Sequence, residues 1–368
     1  MAETAFDTRW NILDPAVRPT DPHQYLRAAV QWHFGEATGS RFWLERAKDL
    51  DFDPLTSIHG YDDLRRFPNI VDELRDVPVE DLIPRGYGPR PPAPRVFESG
   101  GTTGAPKRVI LMPDWLESAL DRMEKGPQFS GRPPSNILVA MPTGPHKAGS
   151  LYDDIAARQN FVKFSIDIDP RWVKKLIGRG ENEQVQAYVE HVLDQIEHVL
   201  SSQHVGMLVI TPPLLLACAR RPSLVDLINA KIDLITWGGA HMTLDQRFEL
   251  ERVTFPKARF LSRYSSALIL EGSRQRPGTS LDEEIVYDPG SPVVTFLVVD
   301  PATGEPVPYG RRGQVVMNHI SKGMFLPNNL ERDTAIRVPG PPGQIGDSVS
   351  APQPVETFGG EEVIEGIY

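Results

Sequence analysis

The sequence predicts an α/β protein: a mostly parallel sheet flanked by helices, followed by a smaller β-rich lobe. Three observations carry this expectation. Short apolar or β-branched runs recur at 109–112, 137–141, 162–168, 205–211, 234–237 and 260–264. Helical patterns fall between several of them, and strand followed by helix, repeated, is the signature of a parallel sheet. Beyond about residue 285 the pattern changes to Val293-Thr-Phe-Leu-Val-Val299, the turn Asp300-Pro-Ala-Thr-Gly304 and Gln314-Val-Val-Met317, which read as strands joined by turns.

The clearest helix is 183–200, where Val185, Val189, Val192, Leu193, Ile196 and Leu200 share one side at helical spacing. Proline marks the boundaries. The stretch Pro84-Arg-Gly-Tyr-Gly-Pro-Arg-Pro-Pro-Ala-Pro94 is too rigid and too poor in donors for a helix or a central strand. It separates a helical lead-in (1–90) from an α/β core (91–284), with the β-rich subdomain and a tail at 285–368. Pro339-Gly-Pro-Pro-Gly343 reads as a loop.

Composition narrows the function. The net charge of −10 excludes a general nucleic-acid or anionic-membrane surface, which needs clustered cations. One nucleotide in one pocket is still compatible with it. The single cysteine, Cys218, excludes an internal disulfide and sits in Leu214-Leu-Leu-Ala-Cys-Ala219, which reads as a buried helix holding a structural thiol. The first ten residues lack a basic-then-apolar secretory pattern. The apolar stretch 205–219 is short and broken by Pro212-Pro213, so no membrane span is expected. A cytoplasmic setting follows.

The densest chemistry lies in Ser99-Gly-Gly-Thr-Thr-Gly-Ala-Pro-Lys107. Gly100, Gly101 and Gly104 allow close backbone approach and turn N–H groups toward anionic oxygens. Ser99, Thr102 and Thr103 add hydroxyls, and Lys107 adds a mobile point charge. The order is not that of a Walker P-loop, which needs four residues between its first glycine and a Gly-Lys pair.

This loop resembles the Ser-Gly-Ser/Thr-Thr-Gly-x-Pro-Lys signature of the adenylate-forming superfamily (acyl-CoA synthetases, peptide-synthetase adenylation domains and luciferases), with Gly101 in the second hydroxyl position. The resemblance implies the large N-terminal domain of that fold, with ATP and Mg²⁺ as cofactors and Lys107, Thr102 and Thr103 in catalysis. It extends in order along the chain. Met141-Pro-Thr-Gly-Pro-His146-Lys-Ala-Gly149 is similar to the segment bordering the acyl pocket, which implicates His146, Gly149 and the later Trp237. Trp237-Gly238-Gly239-Ala240 resembles the Gly-Gly-Ala segment beside adenine. Arg263-Tyr264-Ser265-Ser266-Ala267-Leu268 occupies the place of Tyr-Gly-x-Thr-Glu, implying that Tyr264 stacks on adenine and Ser265 or Ser266 replaces the lost hydroxyl. Leu268 stands where an acid helps hold the metal, and Glu271 is the nearest substitute. Gly346-Asp347 resembles the end of Tyr-Arg-Thr-Gly-Asp, whose acid binds both ribose hydroxyls.

Only 21 residues follow Asp347, where the superfamily continues into a lid domain. By resemblance the chain is expected to lack that lid, to catalyse adenylation alone, and to pass the acyl-adenylate to a reductase, an acyltransferase or a carrier protein. The overall pattern is most similar to the short adenylating proteins of phenazine antibiotic biosynthesis (the griseoluteic acid branch). That implies an aromatic carboxylate such as phenazine-1,6-dicarboxylate. Two further readings stay open in the sequence: a degenerate protein that binds nucleotide or aromatic acid without turnover, and an acyl-transfer subunit of a reductase-like complex.

Overall fold

The computed structural model describes residues 8–100, 105–129, 135–270 and 272–355, and of 357–358 and 361–362 the backbone alone. The lead-in consists of α1 (Pro22–Phe34), α2 (Arg41–Arg46), α3 (Pro54–Ser57) and short 3-10 turns. The start of α1 is set locally. Asp21 accepts the backbone N–H of His23 and Gln24 at 2.9 and 3.0 Å, and Pro22 occupies a position whose missing N–H costs nothing.

After it come the hairpin β1 (Arg95–Glu98) and β2 (Arg108–Leu111), then α4 (Pro113–Glu124), β3 (Ile137–Ala140), α5 (Lys147–Gln159) and β4 (Lys163–Ser165). The chain continues through α6 (Pro170–Gly178), α7 (Asn182–Ser202), β5 (Met207–Ile210), α8 (Pro212–Cys218), α9 (Pro222–Lys231), β6 (Leu234–Gly238), α10 (Leu244–Phe248) and β7 (Arg259–Ser265). The last strands are β8 (Gly272–Gln275), β9 (Val286–Asp288), β10 (Val294–Val299), β11 (Arg312–Ile320), β12 (Phe325–Val338) and β13 (Ser348–Pro354).

Eleven of these strands form one sheet, ordered β10-β11-β12-β13-β9-β8-β7-β6-β5-β3-β4. The half from β4 to β7 is parallel, and from β7 onward every neighbour is antiparallel. Every residue of β3, β5 and β6 is buried, as strands covered on both faces require. Ile137 and Val139 point into one core with α4 and α5, while Leu138 and Ala140 point into the other with α7, α8 and α9. On α7 the expected stripe is present, with Val189, Val192, Leu193, Ile196 and Leu200 buried and Val185 half-buried. Cys218 is fully buried and its thiol is pushed up to about 12, chiefly by burial, so it is a packing group.

The lead-in docks on the hairpin between β11 and β12. Trp32 and Trp43 donate their indole N–H to the carbonyls of Lys322 and Phe325 at 2.8 and 2.9 Å, and the Tyr25 hydroxyl donates to Ile320 at 2.9 Å. Phe34, Trp43, Phe67 and Phe325 pack with ring centroids 5.2–5.9 Å apart. This anchoring fixes β12, the strand that forms one wall of the site. Among the described residues, no helix is long and apolar enough to cross a membrane.

Candidate active site

Parallel strands end in loops at one edge of the sheet, and ligands of open α/β folds sit there. The ends of β6 and β7 bring Trp237, Gly238, Gly239, Ala240, Tyr264, Ser265 and Ser266 to that edge. Gly238 is required by packing, because a Cβ there would lie 2.6 Å from the Arg263 carbonyl oxygen of the neighbouring strand. Gly239 has φ +84°, a conformation that favours glycine and turns the chain away from the strand.

The β1–β2 hairpin closes one side. Ser99 N–H donates to the Lys107 carbonyl at 2.9 Å, and Lys107 N–H donates to Ser99 Oγ at 3.0 Å, pinching the base of the loop. Gly101, Thr102, Thr103 and Gly104 lie outside the described residues, as does Glu271. Lys107 Nζ lies 3.1 Å from Asp72, which also pairs with Arg75 at 3.0 Å, and Arg75 donates to the Ala105 carbonyl. The lead-in therefore holds one arm of the loop.

Two cavities open here. The first, about 230 Å³, is lined by Ser99, Gly100, Lys107, Ala240, Tyr264 and Ser266, and by Asn329, Glu331 and Asp333 of β12. The second, about 290 Å³, is lined by Met123, Met141, His146, Leu151, Tyr152, Val209 and Leu270. Gly100, Trp237, Gly239, Arg263, Ser265, Ala267 and Arg332 line both.

Their electrostatics differ. In the first, the Tyr264 hydroxyl donates to Asp333 at 3.0 Å and Asn329 donates to Glu331 at 2.7 Å. Burial pushes both carboxyl groups up, and Asp333 raises Glu331 further. Tyr264 is held well above its usual value by burial and by these two carboxylates. In the second cavity Arg122, Lys147, Lys174, Arg263, Arg274 and Arg332 face Glu98, the one carboxylate among its described lining residues. Such an interior attracts an anion. His146 is half-buried at the start of α5, with its pKa lowered by burial and then by Arg171.

No protein-family model matches the sequence, and no curated protein does. Solved structures do. A 2-hydroxyisobutyryl-CoA ligase in complex with 2-HIB-AMP and CoA matches with a TM-score of 0.61 at 14% identity, covering 96% of this chain and 71% of that one. An open conformation of the same ligase gives 0.60 at 13%, covering 95% and 78%. The chain has the adenylate-forming fold.

Within this fold two expected residues fall elsewhere. Asp347 lines neither cavity. It is 2% exposed, its carboxylate accepts Arg337 Nε at 2.9 Å and Val298 N–H at 3.1 Å, and its own N–H donates to Phe296. Gly346, at φ +79°, turns the chain into this bridge, so the Gly-Asp pair pins the start of β13 against β10. Gly149 lies beneath the pocket loop. A Cβ there would meet the Pro142 carbonyl oxygen at 2.6 Å, so it permits close packing of α5 and touches neither cavity.

Sequence reasoning also missed β12. Its Asn329, Glu331, Arg332 and Asp333 line the first cavity, so Asp333 puts a carboxylate there and Asp347 does not. The signal was available in Leu330-Glu-Arg-Asp-Thr334, an acid beside a cation in a polar strand, but without periodicity to mark it. Lys174, Arg75 and Asp72 carried no local signal.

Among the described residues no group of three or more His, Cys, Asp or Glu side chains is arranged to hold a metal. The carboxylates that line the first cavity are Glu284, Glu331 and Asp333.

Proposed function

We propose that the protein activates a carboxylic acid with ATP, forming an acyl-adenylate and releasing pyrophosphate. One observation carries this reading: a polar cavity and an apolar, basic one meet at a glycine-bearing hairpin loop. A nucleotide fits the first. The second offers an anion-attracting interior with flat apolar walls from Trp237, Tyr152 and Leu151, which suits an aromatic carboxylate.

On this reading Ser99, Gly100, Gly101, Thr102, Thr103, Gly104 and Lys107 bind the β- and γ-phosphates. Gly238, Gly239, Ala240 and Tyr264 flank adenine, and Ser265 and Ser266 face the α-phosphate. Asp333 accepts hydrogen bonds from the ribose hydroxyls, since a carboxylate has acceptor sites for a vicinal diol. His146 and Trp237 border the acid. A buried Leu268 stands where the superfamily has its acid, which favours a non-catalytic binding protein. Glu331, bonded to Ser266 in the same cavity, answers that observation. Magnesium takes one or two carboxylates plus phosphate oxygens, so Glu331 with the nucleotide fits it, and the ion would neutralise phosphate charge.

The acid of this proposal is aromatic, with phenazine-1,6-dicarboxylate as the first candidate. The acceptor is a separate reductase, acyltransferase or carrier. Cys218, the one cysteine of the sequence, is sealed in the core, so the acyl group is not passed to a thiol of this chain. Incubation with ATP, Mg²⁺, hydroxylamine and a panel of acids tests this directly. Hydroxamate formation with aromatic acids is expected, and efficient acyl-CoA formation on adding CoA would refute the external acceptor.

A further inference from the structure

Two side chains in the wall of the second cavity depart from the rule that buried polar groups find partners. Thr236 lies in β6, and Thr211 just past the end of β5; they are 3% and 1% exposed. Both line the cavity, yet each Oγ1 is buried with no hydrogen-bond partner among the described residues. They share one face of the sheet. Thr236 is paired in register with Val209, Thr211 follows Val209 by two residues, and Val209 lines the same cavity.

Thr211 also forgoes a local partner. It stands just before α8, the position from which Thr243 accepts the Gln246 N–H at 3.2 Å at the start of α10, but its own hydroxyl caps nothing. An unpaired buried hydroxyl lowers stability, and valine would fill the same space without that loss.

We propose that Thr211 and Thr236 form a hydrogen-bonding subsite for the ring system of the acid, donating to a ring heteroatom. The subsite rests on the adenylation reading, which places the acid in this cavity, and narrows the substrate class from aromatic to heteroaromatic acids. Rotation about the Cα–Cβ bond exchanges a threonine's hydroxyl and methyl, so each hydroxyl can turn to meet the ligand. A hydroxyl both donates and accepts. The cations that line the cavity, Arg263 and Arg274 among them, select the donating sense, because a positive interior favours an electron-rich acceptor over another N–H.

Phenazine-1-carboxylate and anthracene-1-carboxylate share one shape and differ by two ring nitrogens in place of two C–H groups. Calorimetric titration of both acids into the full chain, as wild type, T211V, T236V and the double variant, tests the subsite. Wild type is expected to bind the aza acid about tenfold tighter than the carbocyclic one. Each valine variant loses part of that preference and the double variant all of it, while the carbocyclic acid, which cannot engage the hydroxyls, loses no affinity. In thermal unfolding without ligand, each variant is expected to be at least as stable as wild type, since valine removes the unpaired hydroxyl.

Equal binding of the two acids by wild type, or an undiminished preference in the double variant, would overturn the subsite. So would variants that are destabilised and weakened toward both acids alike, which is the mark of hydroxyls that serve the fold or the carboxylate. Failure of the adenylation reading looks different. A preference for the aza acid, with no hydroxamate formed from it and ATP, keeps the subsite and removes that reading. Hydroxamate formed from both acids alike removes the subsite alone.

Discussion

Replacing Asp333 by alanine is expected to weaken ATP binding by about a hundredfold, from the loss of charge-assisted hydrogen bonds to the ribose. The fold should tolerate the change. Burial already disfavours the Asp333 carboxylate, so removing it relieves a cost that offsets the lost Tyr264 contact. The same burial gives the pH dependence its sign. The carboxyl titrates above the usual carboxylate range, so ATP affinity falls on acidification sooner than for an exposed acid.

Asp347→Ala should do the reverse. It leaves Arg337 and the Val298 N–H without their carboxylate partner in a nearly inaccessible place, a loss of about 3 kcal/mol in stability. ATP affinity of the folded protein should not change. Thermal unfolding and calorimetric titration of both variants check the contrast. Loss of ATP binding in Asp347→Ala with full binding in Asp333→Ala would reverse the assignment made here.

The second large effect is on Lys107. Lys107→Ala is expected to lower the rate of acyl-adenylate formation by a hundredfold or more, the loss typical of one charge-stabilising group at a reacting phosphate. Its effect on folding should stay under about 1 kcal/mol, because its partner Asp72 is 79% exposed and such pairs contribute little. Asp72→Ala, which frees the lysine from that pair, should leave the rate near wild type. Single-turnover hydroxamate assays on the two variants separate the cases. A rate loss in Asp72→Ala matching that of Lys107→Ala would mean the pair acts as a structural clasp.

The parallel half of the fold was legible because buried strands carry apolar runs whatever their neighbours. The strands β3, β5, β6 and β7 fall within a residue or two of the runs that announced them. The hairpin loop was legible for a different reason: its chemistry is local, nine residues written consecutively. What the sequence hid is the wall opposite. The strand β12 includes Pro327, Asn328 and Asn329 and pairs with β11 through two register shifts, which breaks the alternation by which strands are recognised. Its polar residues face a cavity, so the feature that places it at the candidate site also disguises it. Asp347 misled for the complementary reason. A Gly-Asp turn reads the same whether its carboxylate meets a ribose or, as here, Arg337.

On the proposed function the two cavities act as one adenylation site. Acid-dependent exchange of labelled pyrophosphate into ATP, with purified protein and Mg²⁺ across aliphatic and aromatic acids, tests it most directly. Exchange that needs an aromatic acid, and is lost in Lys107→Ala and Asp333→Ala, is the expected result. No exchange with any acid, in protein shown by calorimetry to bind both ATP and an aromatic carboxylate, would contradict it and leave a binding protein with an enzyme's fold.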